Sequence, residues 1–359
     1  MGISPGFWRG RRVLLTGHTG FKGAWASLWL SNLGASVTGY SLPPPTDPNL
    51  YTLARVEGVM RSVNADIRDG ARLSRVFQDS GPEIVMHFAA QSLVRESYRL
   101  PIETYSVNVL GTAQLLEAVR SCDTVSAVVI VTSDKCYENR EWLWGYRENE
   151  PLGGRDPYSS SKACAELVAG AYRESFFQAS TAPLIATARA GNVIGGGDWA
   201  NDRLIPDVMR ALLSDSTVSI RNPDAVRPWQ HVLDPLAGYL LLAERLASGQ
   251  RDLGDAWNFG PEASGTKPVS WVVERLLRTW GDNARWEHDV TAHPNEATVL
   301  RLDSSKAHKV LGWHPRAALP EALDWTLDWY RAYRDGLDMQ AFTLDQIRQY
   351  ELLAGSSVE

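Results

Sequence analysis

Tyr158-Ser-Ser-Ser-Lys162 sets a phenol and an ammonium four residues apart. On a helix that spacing puts both on one face. A phenol with a pKa of about 10 is a poor base at neutral pH. A cation beside it lowers that value, so the phenolate can take a proton from an alcohol. The same spacing also arises by chance, and then it merely decorates a helix surface. Upstream, Val131-Thr132-Ser133-Asp134-Lys135 closes a valine-rich run. Ser133 is suited to share a substrate hydroxyl with Tyr158. Asp134 and Lys135 offer a second acid and base at the same point. The other reading of these two charges is a solvated turn after a buried strand.

The elements that must hold these groups follow from the hydrophobic pattern. Arg12–Thr16, Ser36–Tyr40, Glu83–His87, Val125–Thr132 and Leu184–Ala190 read as strands. Helical patterns at Lys22–Leu33, Ala71–Asp79, Pro101–Ser121 and Tyr158–Phe177 alternate with them. Strands alternating with helices imply βαβ units and an α/β, Rossmann-like, doubly wound parallel sheet. Ligands of such sheets bind beyond the carboxyl ends of the strands, where Ser133 stands. After Gly191 the rhythm breaks into Gly, Asp, Arg, Pro and Trp, with helices near Leu204–Leu213 and Leu236–Leu246. Asp255–Phe259 reads as a returning strand, and Pro320–Tyr333 and Met339–Leu353 as amphipathic helices. The expected division is a dinucleotide-binding part at 1–190 with a return at 232–260. A smaller, mostly helical substrate part takes 191–231 and 261–359.

Between the first strand and the first helix lies Thr16-Gly-His-Thr-Gly-Phe-Lys-Gly23. Glycines at 17, 20 and 23 permit a tight turn, and Thr19, Phe21 and Lys22 stand between them. The backbone N–H groups and the positive end of the helix then suit a pyrophosphate. The spacing GxxGxxG differs from GxGxxG, and a glycine triplet by itself often only closes a turn. Its position makes a dinucleotide site the better reading. The acid that usually binds the adenosine ribose after the second strand is missing, since Gly39-Tyr40-Ser41 stands there. No arginine cluster replaces it, which favours NAD over NADP. Asp66, before Ile67, suits either the adenine amino group or a helix N-cap. Ala89 and Ala90 end a strand with side chains small enough to let a cofactor pass.

Composition narrows the class. The 359 residues carry 42 acidic and 36 basic side chains, a formal charge of −6, which argues against a dedicated nucleic-acid binder. Three cysteines, none in a CxxC pair, suit neither a disulfide framework nor a structural zinc site. We expect no metal. No apolar run is long enough for a membrane span, and the N-terminus lacks a signal core, so a cytoplasmic location is expected.

Gly17-xx-Gly20-xx-Gly23, Asp66-Ile67, Ala89-Ala90, Asn108, Ser133, Tyr158-xxx-Lys162 and Arg189-xx-Asn192 together resemble the extended short-chain dehydrogenase/reductases. The likeness runs over most of the chain. Within that group, Asp134-Lys135 resembles the acid/base pair of the nucleotide-sugar 4,6-dehydratases, most of which have Asp-Glu there. Tyr40-Ser-Leu-Pro-Pro-Pro-Thr46, Gly195-Gly-Gly-Asp-Trp199 and Arg227-Pro-Trp-Gln-His231 resemble the branch that uses a cytidine-diphosphate sugar.

The resemblance implies a lyase that is redox-neutral overall. NAD transiently oxidises C4, water leaves across C5–C6, and hydride returns to C6. Tyr158 would take the O4 proton, with Lys162 beside it. Asp134 would protonate the departing C6 hydroxyl, and Lys135 would take the C5 proton. An acid needs a raised pKa and a lysine base a lowered one. Gln91 and Asn192 are expected near the sugar, and Arg203, Arg227 and Arg301 near the diphosphate or nucleotide. Nothing in these residues reads the base. The resemblance also implies a homodimer through the helices at Pro101–Ser121 and Tyr158–Phe177, which could instead simply cover the sheet. The competing readings are a 4-epimerase, which needs no C6–O cleavage, and a non-catalytic NAD-binding protein.

Overall fold

The computed structural model describes residues 2–281, 284–291 and 299–353. Parts of the expected substrate span 261–359 therefore lie outside the described residues. Seven strands form one sheet: β1 Arg12–Thr16, β2 Ser36–Ser41, β3 Arg61–Asn64, β4 Ile84–His87, β5 Ala127–Val131, β6 Leu184–Arg189 and β7 Ala256–Asn258. Their order is β7-β6-β5-β4-β1-β2-β3, and every neighbouring pair is parallel. The order reverses between β1 and β4, where Thr16 pairs with Tyr40 on one side and His87 on the other. That reversal opens a crevice at the strands' carboxyl ends.

The main helices are α1 Phe21–Asn32, α2 Gly70–Ser80, α3 Gly111–Arg120, α4 Pro157–Phe176, α5 Leu204–Leu213, α6 Leu233–Ala247, α7 Val269–Trp280, α8 Leu319–Arg334 and α9 Met339–Leu353. Strand residues alternate between two cores, as a sheet covered on both faces requires. Val13, Leu15, Met86 and Val129 join α1, α6, α8 and α9 on one face. Leu14, Val85, Val128 and Ile130 join α2, α3 and α4 on the other. The C-terminal helices reach back to the first: Trp29 Nε1 donates to Glu351 at 2.8 Å, and Trp29 meets Tyr350 edge-on. β7 lies within the 232–260 return and pairs with β6.

The expected strands and helices are present with ends moved by a few residues. β3 was not anticipated. It is a half-exposed edge strand with one apolar residue, Val63, so its pattern carries no alternation. The long helix expected at Pro101–Ser121 is continuous, but a π turn at Ser106–Leu110 interrupts its α geometry. That turn carries Asn108 inward, and π turns often mark functional positions. A short helix at Val94–Arg99 was also unexpected.

Candidate active site

Glycine shapes the first cavity. Gly17 has φ of +77°, and a Cβ there would lie 2.7 Å from the Ala89 nitrogen. A Cβ on Gly23 would lie 2.1 Å from the Gly17 carbonyl oxygen. The loop therefore folds tightly onto the start of α1 only with these residues. It opens on a cavity of about 680 Å³, lined by Gly17, Thr19, Gly20, Phe21, Lys22 and Gly23 from this segment. Asp66, Ile67, Ala89, Ala90 and Gln91 line it from the segments that follow β3 and β4, and Tyr158 and Lys162 from α4. At the end of β2 the cavity meets Tyr40 and Ser41 rather than an acid. A Cβ on Gly39 would lie 2.4 Å from the His18 ring, so β2 must stay bare there. The Ser41 hydroxyl bonds Thr19 Oγ1 at 2.8 Å. The cavity's cations, Lys22, Lys162 and Arg203, come from segments other than β2. Its backbone cradle and the small side chains of Ala89 and Ala90 fit a dinucleotide, and β2 brings no cation for a 2′-phosphate.

Asp66 lines this cavity but does not cap a helix. Its carboxylate holds Arg68, whose Nε donates at 2.9 Å, and that hydrogen bond keeps Asp66 below the ordinary carboxylate range. The cap of α2 is Asp69, which accepts from Arg72 N at 3.0 Å. Gln91 is tied down: its Nε2 donates to Leu93 O and Thr104 Oγ1. Asn108 clamps the same loop, donating to Gln91 O at 2.9 Å and to Ser161 Oγ at 2.8 Å.

The second cavity, about 270 Å³, is lined by Ser133, Asp134, Lys135, Tyr158, Asn192, Arg203 and Arg227 together with Lys22. Lys22, Tyr158 and Arg203 line both cavities, so the two share a wall. α4 begins sharply because Asp156 accepts from Ser159 N at 2.9 Å and Pro157 takes the first turn. That start fixes Tyr158 at the rim. Ser133 stands two residues past the fully buried β5 and lines the second cavity with the Tyr158 phenol. It also donates to Asp134 Oδ1 at 3.0 Å and accepts from Lys135 N at 3.2 Å. Lys162 Nζ donates to Val131 O at 3.2 Å, which ties α4 to the end of β5.

Electrostatics here are set by burial. Tyr158 is pushed up to about 12 by burial, with Ser133 and Arg203 pulling the other way. Arg203 is a cation that draws the phenol down, while Asp134 and Asp156 push it up. Burial lowers Lys162 to about 8. Burial also lowers Lys22 to about 7, helped by repulsion from Arg203 and Lys162. Arg203 is steadied by Asp198 at 3.0 Å and Ser92 at 2.9 Å. Behind the site, burial opposes ionisation of Glu166, but Arg189 and the Thr132 and Thr187 hydroxyls outweigh it. This network fixes the ends of β5 and β6.

One expected residue is not brought in. Arg301 is exposed and lines neither cavity. Its neighbours Leu300 and Leu302 turn inward onto Tyr137 and Tyr146, so residue 301 faces out. Gln91 lies in the first cavity rather than the sugar end of the second. Sequence reasoning passed over Asp198 as a site residue, although the Gly195-Gly-Gly-Asp-Trp199 run had signalled a special loop. It gave no hint of Asp134's seat. A Cβ on Gly191 would stand 1.7 Å from Asp134 Oδ2.

Comparison with known proteins agrees with this geometry. The chain is 52% identical over 352 residues to the CDP-glucose 4,6-dehydratase of Salmonella typhimurium, covering 97% of this chain and 98% of that one. A solved dTDP-glucose 4,6-dehydratase double mutant from Streptomyces venezuelae, with NAD bound, matches with a TM-score of 0.77 at 27% identity. That match covers 92% of this chain and 99% of the other. The UDP-glucose 4-epimerase of Thermotoga maritima shares the fold, with a TM-score of 0.75 at 22% identity over 89% of this chain and 99% of that one. Residues 14–326 match the family model described as GDP-mannose 4,6 dehydratase, and the chain belongs to that family.

Proposed function

We infer that this chain is an NAD-dependent hydro-lyase that converts CDP-D-glucose to CDP-4-dehydro-6-deoxy-D-glucose. The observation that carries the reading is that Asp134 and Lys135 share one cavity with Ser133 and Tyr158. A 4-epimerase has no use for the first pair, and a non-catalytic protein has none for the set. The choice of cytidine rests on the Salmonella relative.

NAD, when bound, would store the hydride taken from C4 and return it to C6 after water has left, so that C4 stays oxidised in the product. Gly17, Gly20 and Gly23 would hold its pyrophosphate, and Asp66 with Ile67 its adenosine end. Tyr158 takes the O4 proton, and Ser133 orients that hydroxyl. The ketone acidifies C5, so oxidation comes first. Lys135 removes the C5 proton while Asp134 protonates the leaving C6 oxygen, and water departs. Arg203 and Arg227 neutralise the diphosphate, and Asn192 borders the sugar. We assign no substrate contact to Arg301.

We further propose that the segments divide as the sequence suggests, with 1–190 and 232–260 carrying the dinucleotide and 191–231 with 261–359 the sugar nucleotide. Ile102, Leu110, Leu167 and Phe176 are exposed along the helices at 101–120 and 157–176. Such apolar side chains support a homodimer joined through these helices. Three free cysteines fit a reducing, cytoplasmic setting. Among the described residues no helix is long and apolar enough to cross a membrane.

The test is incubation with CDP-, dTDP-, GDP- and UDP-glucose, followed by mass. Loss of one water from CDP-glucose in preference to the others is expected. Epimerisation without change in mass overturns the reading. Lys135→Met should still oxidise C4 yet release no water; product at the wild-type rate removes Lys135 from its role.

A further inference from the structure

Beyond the edge strand of the sheet, two distant stretches of chain are tied together. After β7, Gly260 N donates to Ser304 Oγ at 2.9 Å. The Ser304 carbonyl accepts from His308 N at 3.0 Å. His308 lies in a π turn at Ala307–Leu311, a form that often marks functional positions. Gly312, with φ of +66°, ends that turn and reverses the chain. Trp313 is then buried against Phe259, 5.0 Å between ring centroids, and its Nε1 donates to Asp234 O at 3.1 Å. These anchors bring His314 back over His308. The two imidazoles stack with centroids 4.3 Å apart and planes 23° from parallel. Glu262, two residues past Gly260, comes to the same place. One ligand atom from each of Glu262, His308 and His314 lies within 4.8 Å of the others.

Stacked imidazoles cannot comfortably both carry charge, because each cation repels the other. An ion pair of Glu262 with a charged His308 would leave that histidine above its ordinary pKa. Burial and His314 instead hold it below, with Glu262 and Asp303 opposing. His308 is therefore neutral at pH 7 and has an electron pair to give. Its Nε2 is enclosed and has no hydrogen-bond partner. Buried polar atoms are rarely left that way in a folded protein.

We propose that Glu262, His308 and His314 bind one zinc ion, which staples the chain leaving β7 to the turn ahead of α8. Imidazole nitrogen and carboxylate oxygen are zinc ligands, at about 2.0–2.2 Å from the metal. Around a tetrahedral ion such atoms stand roughly 3.3 Å from one another. The widest pair must therefore close by at most about 1.5 Å. Glu262 and His314 are exposed and can make that movement, while the half-buried His308 is the fixed point. Two imidazoles disfavour calcium and magnesium, which take oxygen ligands. The expectation of no metal rests on the cysteines and does not reach this trio. None of the three residues lines either cavity, so the ion serves stability and no step of the reaction passes through it.

A metal that binds the folded chain alone raises its melting temperature. Untagged protein, stripped with a chelator and returned to plain buffer, is titrated calorimetrically with zinc chloride. One ion per chain should bind. At a hundredfold excess over Kd the melting temperature should rise by about 4 °C. His314→Ala and Glu262→Gln alter exposed positions, so both variants should fold. Each should weaken zinc binding at least ~10-fold and lose most of the thermal rise. Anomalous diffraction at the zinc edge should place the ion within about 2.2 Å of a side-chain atom of all three residues. Stripped wild-type protein that takes up no zinc overturns the proposal. So do variants that bind zinc as tightly as wild type, or an ion seated elsewhere.

Discussion

The dinucleotide cavity is built from backbone, and the substrate cavity from side chains. In the first, Gly17 and Gly23 let main-chain atoms pass within distances that any Cβ would close. In the second, Asp134, Lys135, Arg203 and Arg227 arrive from three separate stretches of chain and converge on one space. A backbone site needs a few residues in an unbroken run. A side-chain site needs the whole fold before its members meet.

Four variants probe this contrast. Tyr158→Phe removes the group on the shared wall and should lower turnover at least ~10²-fold. Calorimetric binding of NAD and of CDP should hardly change; loss of either would make Tyr158 structural. Gly23→Ala drives a methyl into the Gly17 carbonyl, at a cost of about 2 kcal/mol, or roughly thirtyfold in NAD affinity. Binding of CDP should stay as it was, and a parallel loss there would erase the contrast between the cavities. Arg227→Lys keeps the charge but not the two-pronged donor geometry. The KM for the nucleotide sugar should rise about tenfold, with NAD affinity unmoved.

The smallest effect on either ligand is expected at Asp234, behind both cavities. Its Oδ1 accepts from Arg316 N at 2.7 Å and Tyr350 Oη at 2.9 Å. Burial raises it from 3.8 to about 7. Between those values the folded protein keeps a proton that the unfolded chain has lost. Its contribution to stability is therefore fullest below the window and falls as pH rises through it. Asp234→Asn should flatten that part of the melting-temperature profile and leave both affinities alone. An unchanged slope would place the titration elsewhere.

The same contrast explains what was legible. β1, β5 and α4 declare themselves through apolar runs and caps, and with them come the glycine loop, Ser133 and the Tyr158–Lys162 pair. β3 offers only Val63 to a core, so its four residues look like any loop. Arg301 seemed a ligand because it is a cation in the second half. Its side is decided by Leu300 and Leu302, which a pattern of four residues could have told. Asp198 and the clearance at Gly191 depend on contacts between segments far apart in the chain. No local spacing encodes them.

The loop at Gly195–Trp199 is gripped from the far end of the chain. A Cβ on Gly196 would lie 1.9 Å from the Trp329 ring, Tyr330 Oη donates to Asp198 O, and Trp199 meets Tyr330 edge-on. Gly197, Asp198 and Trp199 line the first cavity, and Gly195 and Asp198 the second. A helix from the end of the sequence thus sculpts both spaces through a single turn of chain, and slack at its aromatic grip would be felt in the two together.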